Sequence, residues 1–371
     1  MDRGFRRRKF LHATGAGLLA LGSGCSTLRA NSRWSVELGG SPARSRKLAD
    51  DGFVVASTLE SSGELGFVRF SGKHESLAEL PRITASPVLD GNRALVEADG
   101  VIQKIPLSGG NPTSLGTGYL AFGRYSPIIA GSRLYGVGYS DDIEKYGVFS
   151  LDLKTERIEW LHPFGHTRSS ADTDGERVFA ASPTGMVRAY DATDGTPLWS
   201  RKTAGRAALT HHDGTVFVAS MGGVSALNPT NGSVRWHTES DWIGSVGTIP
   251  EANDSSVYAV FSLYSSHRRT RLAMETYVVA YNRKTGDERW RKRAKFGTPL
   301  TVTADAVAFE SVERAETSDG KTKSRERLSI FGTGGGRKQQ YELSDRVTMK
   351  PILRDDVIIV GDGKTIVAHD R

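Results

Sequence analysis

An all-β chain folded as an eight-bladed β-propeller of four-stranded antiparallel blades is what this sequence predicts, on three observations. A ten-residue phrase recurs in register along the chain. Strand-like segments and turn dipeptides alternate with a period that fits four short strands. The two chain ends carry complementary halves of one repeat. A seven-bladed ring with one irregular blade is the competing arrangement.

The phrase is clearest in Tyr190–Trp199 (YDATDGTPLW), Leu227–Trp236 (LNPTNGSVRW) and Tyr281–Trp290 (YNRKTGDERW), with a fainter copy in Leu151–Trp160 (LDLKTERIEW). Each starts with an aromatic residue or Leu, has Asp or Asn second and ends on Trp; three have Gly sixth. Four copies in register mark an internal repeat. Asp194-Gly195 and Asn231-Gly232 suit a turn that needs positive φ. The Asp or Asn at position two can bond nearby backbone N–H groups. The Trp offers a large surface for the seam against a neighbouring blade.

Hairpin starts recur as ADDGFVVAS, VLDGNRALV, IIAGSRLYG, DTDGERVFA, HHDGTVFVA, ANDSSVYAV, TADAVAFES and LRDDVIIVG, about 39 to 50 residues apart, the length of a propeller blade. One unit parses as strand A at Arg206–His212, strand B at Thr215–Ser220, strand C at Val224–Leu227 and strand D at Ser233–His237. The segments Phe67–Leu80, Val101–Leu115 and Leu328–Tyr341 lack the Trp, so spacing alone assigns their blades. At the C-terminus, Ala368-His369-Asp370 begins the phrase but the chain stops before any Trp. Arg33–Leu38, with Trp34, reads as the missing strand D. The N-terminal strand is therefore expected to close the last blade, which would hide both free sheet edges of the ring.

The phrase A-[YL]-[DN]-x-x-[TDN]-G-x-x-x-W resembles the repeat of the pyrroloquinoline quinone (PQQ) enzyme family. That family holds eight-bladed quinoprotein dehydrogenases and cofactor-free propeller lipoproteins, among them one from bacterial outer-membrane protein assembly. The resemblance spans about residues 33–371. It implies the fold strongly and the function weakly.

The remaining sequence bounds the function. The net charge is +7, but Arg3, Arg6, Arg7, Arg8 and Lys9 against Asp2 place much of it in the first 24 residues. The rest is too near neutral for an electrostatic case for nucleic-acid binding. Residues 1–24 have the layout of an export signal: FRRRKFLH, then a short apolar run from Ala13 to Leu21. Arg7 and Arg8, followed by Lys9-Phe10-Leu11, resemble a twin-arginine signal. Cys25, the only cysteine, resembles a lipidation site, although Gly22 stands where Leu is common. Residues 25–32 would be a tether and 33–371 the propeller. A single cysteine leaves no internal disulfide.

No catalytic pattern stands out. The chain lacks the adjacent cysteines of quinoprotein alcohol dehydrogenases, and no calcium-binding motif can be placed, so no cofactor is expected. His211-His212-Asp213 could suggest a metal, but neighbours on a strand point to opposite faces. Gly320-Lys321-Thr322 and Gly363-Lys364-Thr365 lack the upstream glycine of a phosphate loop. The long insertions Ser57–Gly66, Tyr139–Tyr146, Tyr264–Glu275 and Ser311–Arg327 fall between strands B and C, and so on one face. There Arg268, Arg269 and Arg271 form a cationic loop suited to an acidic partner or lipid head groups. The sequons at Asn231 and Asn253 fall on the opposite face. The expectation is a monomeric, membrane-anchored extracytoplasmic propeller that binds a protein of the cell envelope without catalysis. The alternatives are a quinoprotein-like oxidoreductase with a diverged site, or a carbohydrate or cell-envelope binder, for which Trp242 is the one hint.

Overall fold

The computed structural model describes residues 32–44, 49–58, 62–83, 85–123, 125–239, 244–246, 248–264, 274–316 and 322–371. Every regular element among them is a β-strand. β1 (Ser32–Glu37) comes first. A meander of β2 (Ser41–Arg44), β3 (Gly52–Thr58), β4 (Ser62–Arg69) and β5 (His74–Pro81) follows, then β6 (Val88–Asp90), β7 (Arg93–Ala98), β8 (Val101–Pro106) and β9 (Thr113–Ser114). In the next sheet a split first strand, β10 (Leu120–Phe122) and β11 (Ile128–Ala130), pairs with β12 (Arg133–Ser140), followed by β13 (Lys145–Asp152) and β14 (Arg157–Pro163). Two plain four-stranded sheets come next. One holds β15 (Ser170–Thr173), β16 (Arg177–Ala181), β17 (Met186–Asp191) and β18 (Pro197–Lys202). The other holds β19 (Ala207–His212), β20 (Thr215–Ser220), β21 (Gly223–Leu227) and β22 (Val234–Glu239).

A nine-stranded sheet follows. Its first part is β23 (Gly244–Val246), β24 (Glu251–Ala252), β25 (Ser256–Tyr264), β26 (Met274–Asn282) and β27 (Glu288–Ala294). Its second part is β28 (Thr301–Val302), β29 (Ala306–Glu316), β30 (Thr322–Gly332) and β31 (Arg337–Glu342). A single residue pair, Ala294 with Ser311, joins the two parts. The chain ends in β32 (Ile352–Leu353), β33 (Val357–Asp362) and β34 (Thr365–Asp370). β1 is the fourth strand of that last sheet, antiparallel to β34, with Trp34 opposite Ala368. The expected pairing of the two chain ends is thus present.

The second strand of each sheet is buried on both faces, so its apolar run is unbroken instead of alternating. Phe53 and Val55 pack toward the β32–β34 sheet, and Val54 and Ala56 toward β6–β9. Val216 and Val218 pack toward β15–β18, and Phe217 and Ala219 toward β25 and β26. Each apolar cluster lies between successive sheets, and the series returns from β34 to β3. Alternate side chains of one strand thus glue two seams.

The recurring Trp makes a clasp. Its indole N–H donates to a turn carbonyl of the next sheet: Trp34 to Phe70, Trp160 to Ala192, Trp199 to Pro229, Trp236 to Arg283 and Trp290 to Thr333, at 2.8–3.3 Å. The indole also packs against a glycine of that turn, respectively Gly72, Gly195, Gly232, Gly286 and Gly335. All five glycines have positive φ, and a Cβ on any of them would stand 2.6–2.7 Å from the ring. A β-bulge just before the turn re-aims the strand that bears the Trp, as between Ala189 and Tyr190 and between Ala226 and Leu227. The turn chemistry is as expected: Asp191, Asn228 and Asn282 accept from the N–H groups of Thr193, Thr230 and Lys284 at 2.7–2.9 Å.

Where a sheet lacks the Trp, the next turn is released. The β6–β9 sheet has none, and the following turn carries Glu156 at φ 58°, ion-paired with Lys104. The β2–β5 sheet has none either, and Gly109 in the following turn faces open space. Tyr341 substitutes in part at the last seam, donating its hydroxyl to the Asp370 carbonyl at 2.6 Å beside His369. The sixth position of the phrase therefore needs glycine because an indole covers it.

Candidate functional site

Antiparallel meanders put the first and third turns of each sheet on one face and the second turns and inter-sheet crossings on the other. The first face is fastened by charges, some of which link consecutive sheets and others the strands of one sheet. Arg283 meets Asp213 at 2.7 Å, His212 meets Asp254 at 3.2 Å, and Lys338 and Arg371 both meet Asp305 at 2.9 Å. Arg33 pairs with Asp356 at 2.7 Å and also with Asp370. Hydrogen bonds from Arg283 and Arg33 hold Asp213 and Asp356 below the ordinary aspartate range, and Lys338 does the same for Asp305. These groups are spent on each other.

The opposite face is more elaborate, but not as loops. Ser57–Gly66, Tyr139–Tyr146 and Ser311–Arg327 are ladder-paired: Ser57 faces Glu64, Tyr139 faces Tyr146 and Ser311 faces Arg327. The strands continue beyond the sheet body as two-stranded ribbons. In the longest, pairing runs out to Glu316 opposite Thr322. The ribbon reads as loop because its sequence is polar at successive positions, so the alternation that marks a half-buried strand is missing. At its base the carboxyl of Glu310 is buried, and burial pushes it up despite Lys295 at 3.0 Å. Lys295 also holds Glu326 at 2.6 Å, bracing the ribbon.

Three exposed apolar side chains crown this face: Tyr119, Met221 and Phe296. Tyr119 starts a row of rings. It meets Tyr139 edge-on at 6.3 Å, Tyr139 meets Tyr146 edge-on at 5.6 Å, and Tyr146 stacks on His166 at 5.7 Å. Burial, with Glu97, Asp141 and Asp99 nearby, raises the Tyr119 phenol above its ordinary value. Sequence reasoning missed this row, because its members sit in separate turns and crossings and no local pattern joins them.

The residues singled out from sequence fall as follows. Arg7, Arg8, Cys25, Trp242, Arg268, Arg269 and Arg271 lie outside the described residues. The last three fall in the sequence between β25 and β26. His211, His212 and Asp213 take three separate partners: His211 stacks on Phe179, His212 meets Asp254 and Asp213 meets Arg283. Gly363 and Lys364 form the tight turn between β33 and β34, where the Lys364 carbonyl accepts from the Leu38 N–H at 2.9 Å. Asn231 is exposed. Asn253 is buried, and its amide nitrogen donates to the Thr303 carbonyl at 2.8 Å, which makes it a structural residue rather than a sugar acceptor. Among the described residues no three His, Cys, Asp or Glu side chains gather closely enough to hold a metal ion.

Comparison with known proteins fits this architecture. No curated protein matches the chain. Among solved structures, the computationally designed Ika8 protein superposes with a TM-score of 0.68 at 12% identity, covering 92% of this chain and 100% of that one. BamB from Moraxella catarrhalis gives 0.60 at 16% identity, over 90% and 95%. The quinohemoprotein alcohol dehydrogenase ADHIIG from Pseudomonas putida HK5 gives 0.61 at 10% identity, over 92% and 76%. At these identities the likeness is one of fold, the propeller-like arrangement of four-stranded antiparallel sheets. The family described as outer membrane protein assembly factor BamB matches residues 144–371, and the chain belongs to that family.

Proposed function

We propose that the chain is a membrane-tethered, extracytoplasmic eight-bladed propeller that captures a protein partner on its ribbon face. The observation that carries this reading is the inequality of the two faces: one fastened by ion pairs between sheets, the other bearing ribbons and exposed rings. Rigid scaffolds commonly carry recognition on such projecting segments. An eight-blade count follows if the nine-stranded sheet is two blades that touch at Ala294 and Ser311. The description of the matching family as an outer membrane protein assembly factor supports this reading.

The tether fits the same picture. β1 enters at Ser32, paired with His369 on the fastened face. A lipid on Cys25, delivered through the signal containing Arg7 and Arg8, would hold that face toward the membrane and turn the ribbons outward. Arg268, Arg269 and Arg271 would then stand among the outward groups. The experiment is affinity recovery of the tethered protein from its native membrane, comparing the parent with a variant in which these three arginines are Glu. A specific partner should be recovered with the parent and lost with the variant, at unchanged folding. Equal recovery from both would refute the arginine assignment; recovery of no protein under either condition would refute the scaffold reading.

A further inference from the structure

The row of rings on the ribbon face points to a specific kind of contact, resting on the scaffold reading above. We infer that Tyr119, Tyr139, Tyr146 and His166 form a docking strip for an extended, arginine- or lysine-bearing segment of a partner protein.

Three observations support it. First, the row is continuous and placed to be met. It runs from the crossing before β10, over the β12–β13 ribbon, to the crossing before β15, with successive centroids 5.6–6.3 Å apart. Tyr119 is 44% exposed and His166 is exposed. Second, the rings are held in place. Tyr119 lies on Gly100, a turn glycine at φ 80°, and Tyr139 is the cross-strand neighbour of Tyr146. A preformed strip loses little entropy on binding. Third, the border is acidic. Asp99, Asp141, Asp142 and Glu144 are exposed in the two turns beside the row, and none has an ion-pair partner among the described residues. Lys145 sits opposite Ser140, one step from Tyr146, so the pleat sends it to the other side of the ribbon. Arg168, two residues after His166, is exposed.

The ring geometry favours a cation over a sugar. The two Tyr–Tyr contacts are inclined at 84° and 72°, so the three tyrosines share no flat face for a sugar chain, and only Tyr146 and His166, at 24°, lie near parallel. Inclined rings with carboxylates beside them suit a guanidinium or ammonium: its stem lies along the aromatic surface and its charge reaches the border.

The test titrates the purified body, residues 32–371, with a fluorescein-labelled peptide alternating arginine and serine, read by fluorescence anisotropy. A peptide alternating glutamate and serine and a neutral oligosaccharide are the comparison probes. The arginine peptide should bind, more weakly as salt rises. Affinity should drop about tenfold or more in Tyr119→Ser and in the double variant Asp141→Asn with Asp142→Asn. Both changes are at exposed positions, and unchanged melting would show that the fold is kept. Binding unaffected by either variant, equal binding of the glutamate peptide, or binding of the oligosaccharide alone would overturn the inference. None of these outcomes touches the scaffold reading, which stands or falls on recovery from the membrane.

Discussion

Gly232→Ala isolates the indole clasp. Gly232 has φ 68°, and a Cβ there would meet Trp199 at 2.6 Å. Left-handed backbone costs an alanine about 1–2 kcal/mol. Forcing the packed indole aside costs about 1–3 kcal/mol more, so the substitution should cost about 3 kcal/mol. Gly109→Ala is the control. Gly109 has φ 83° with nothing nearby, so it should show the backbone cost alone, about 1–2 kcal/mol. Urea unfolding at neutral pH, followed by tryptophan fluorescence, measures both. In a Trp199→Val background the cost of Gly232→Ala should fall to that of the control, because the obstructing ring is gone. The coupling in this cycle is the clasp itself. Equal costs at Gly232 and Gly109, or a cost at Gly232 that persists without Trp199, would refute the claim that the indole dictates the glycine.

Two further outcomes follow from the same geometry. Glu156→Gly should raise stability by about 0.5–1 kcal/mol, since relief at φ 58° exceeds the loss of a partly exposed pair with Lys104; a lower urea midpoint would contradict this. Acid should loosen the fastened face. Asp213, Asp305 and Asp356 titrate below their ordinary value when folded, so the stability they contribute is full above pH 3.8 and is lost as pH falls through their folded values. Glu310, raised by burial, has the opposite sign but is a single group. The urea midpoint should therefore drop at about pH 3, and drop less when Asp213 and Asp356 are both Asn. A midpoint equal at neutral and acid pH would refute the network's role.

Much of this fold is legible in the residues because each local signal serves the repeat. Strand B of the parsed unit, Thr215–Ser220, has the observed bounds, and its neighbours shift by a residue or two. Trp34 could be matched to Ala368 across the whole chain because both belong to one phrase, and they do face each other. The site is less legible. Pattern reading finds segments whose apolar residues alternate, and the sequence from Ser311 to Arg327 has no such alternation. The ring row depends on a cross-strand pair, Tyr139 and Tyr146, and on two crossings that only closure of the sheets brings to its ends. The glycine rule had a readable trace. Glu156 breaks the sixth position in the copy whose preceding sheet has no Trp, but that relation needs the contact to be known first.

The clasps are unevenly spaced. Five seams are pinned by an indole, whereas the two that flank the β6–β9 sheet are adjacent and have none. The molecule thus has a stiff arc and a compliant arc. Tyr119 leaves β9 on the compliant side, so a visitor that spreads along the rings also bridges the joint best able to give.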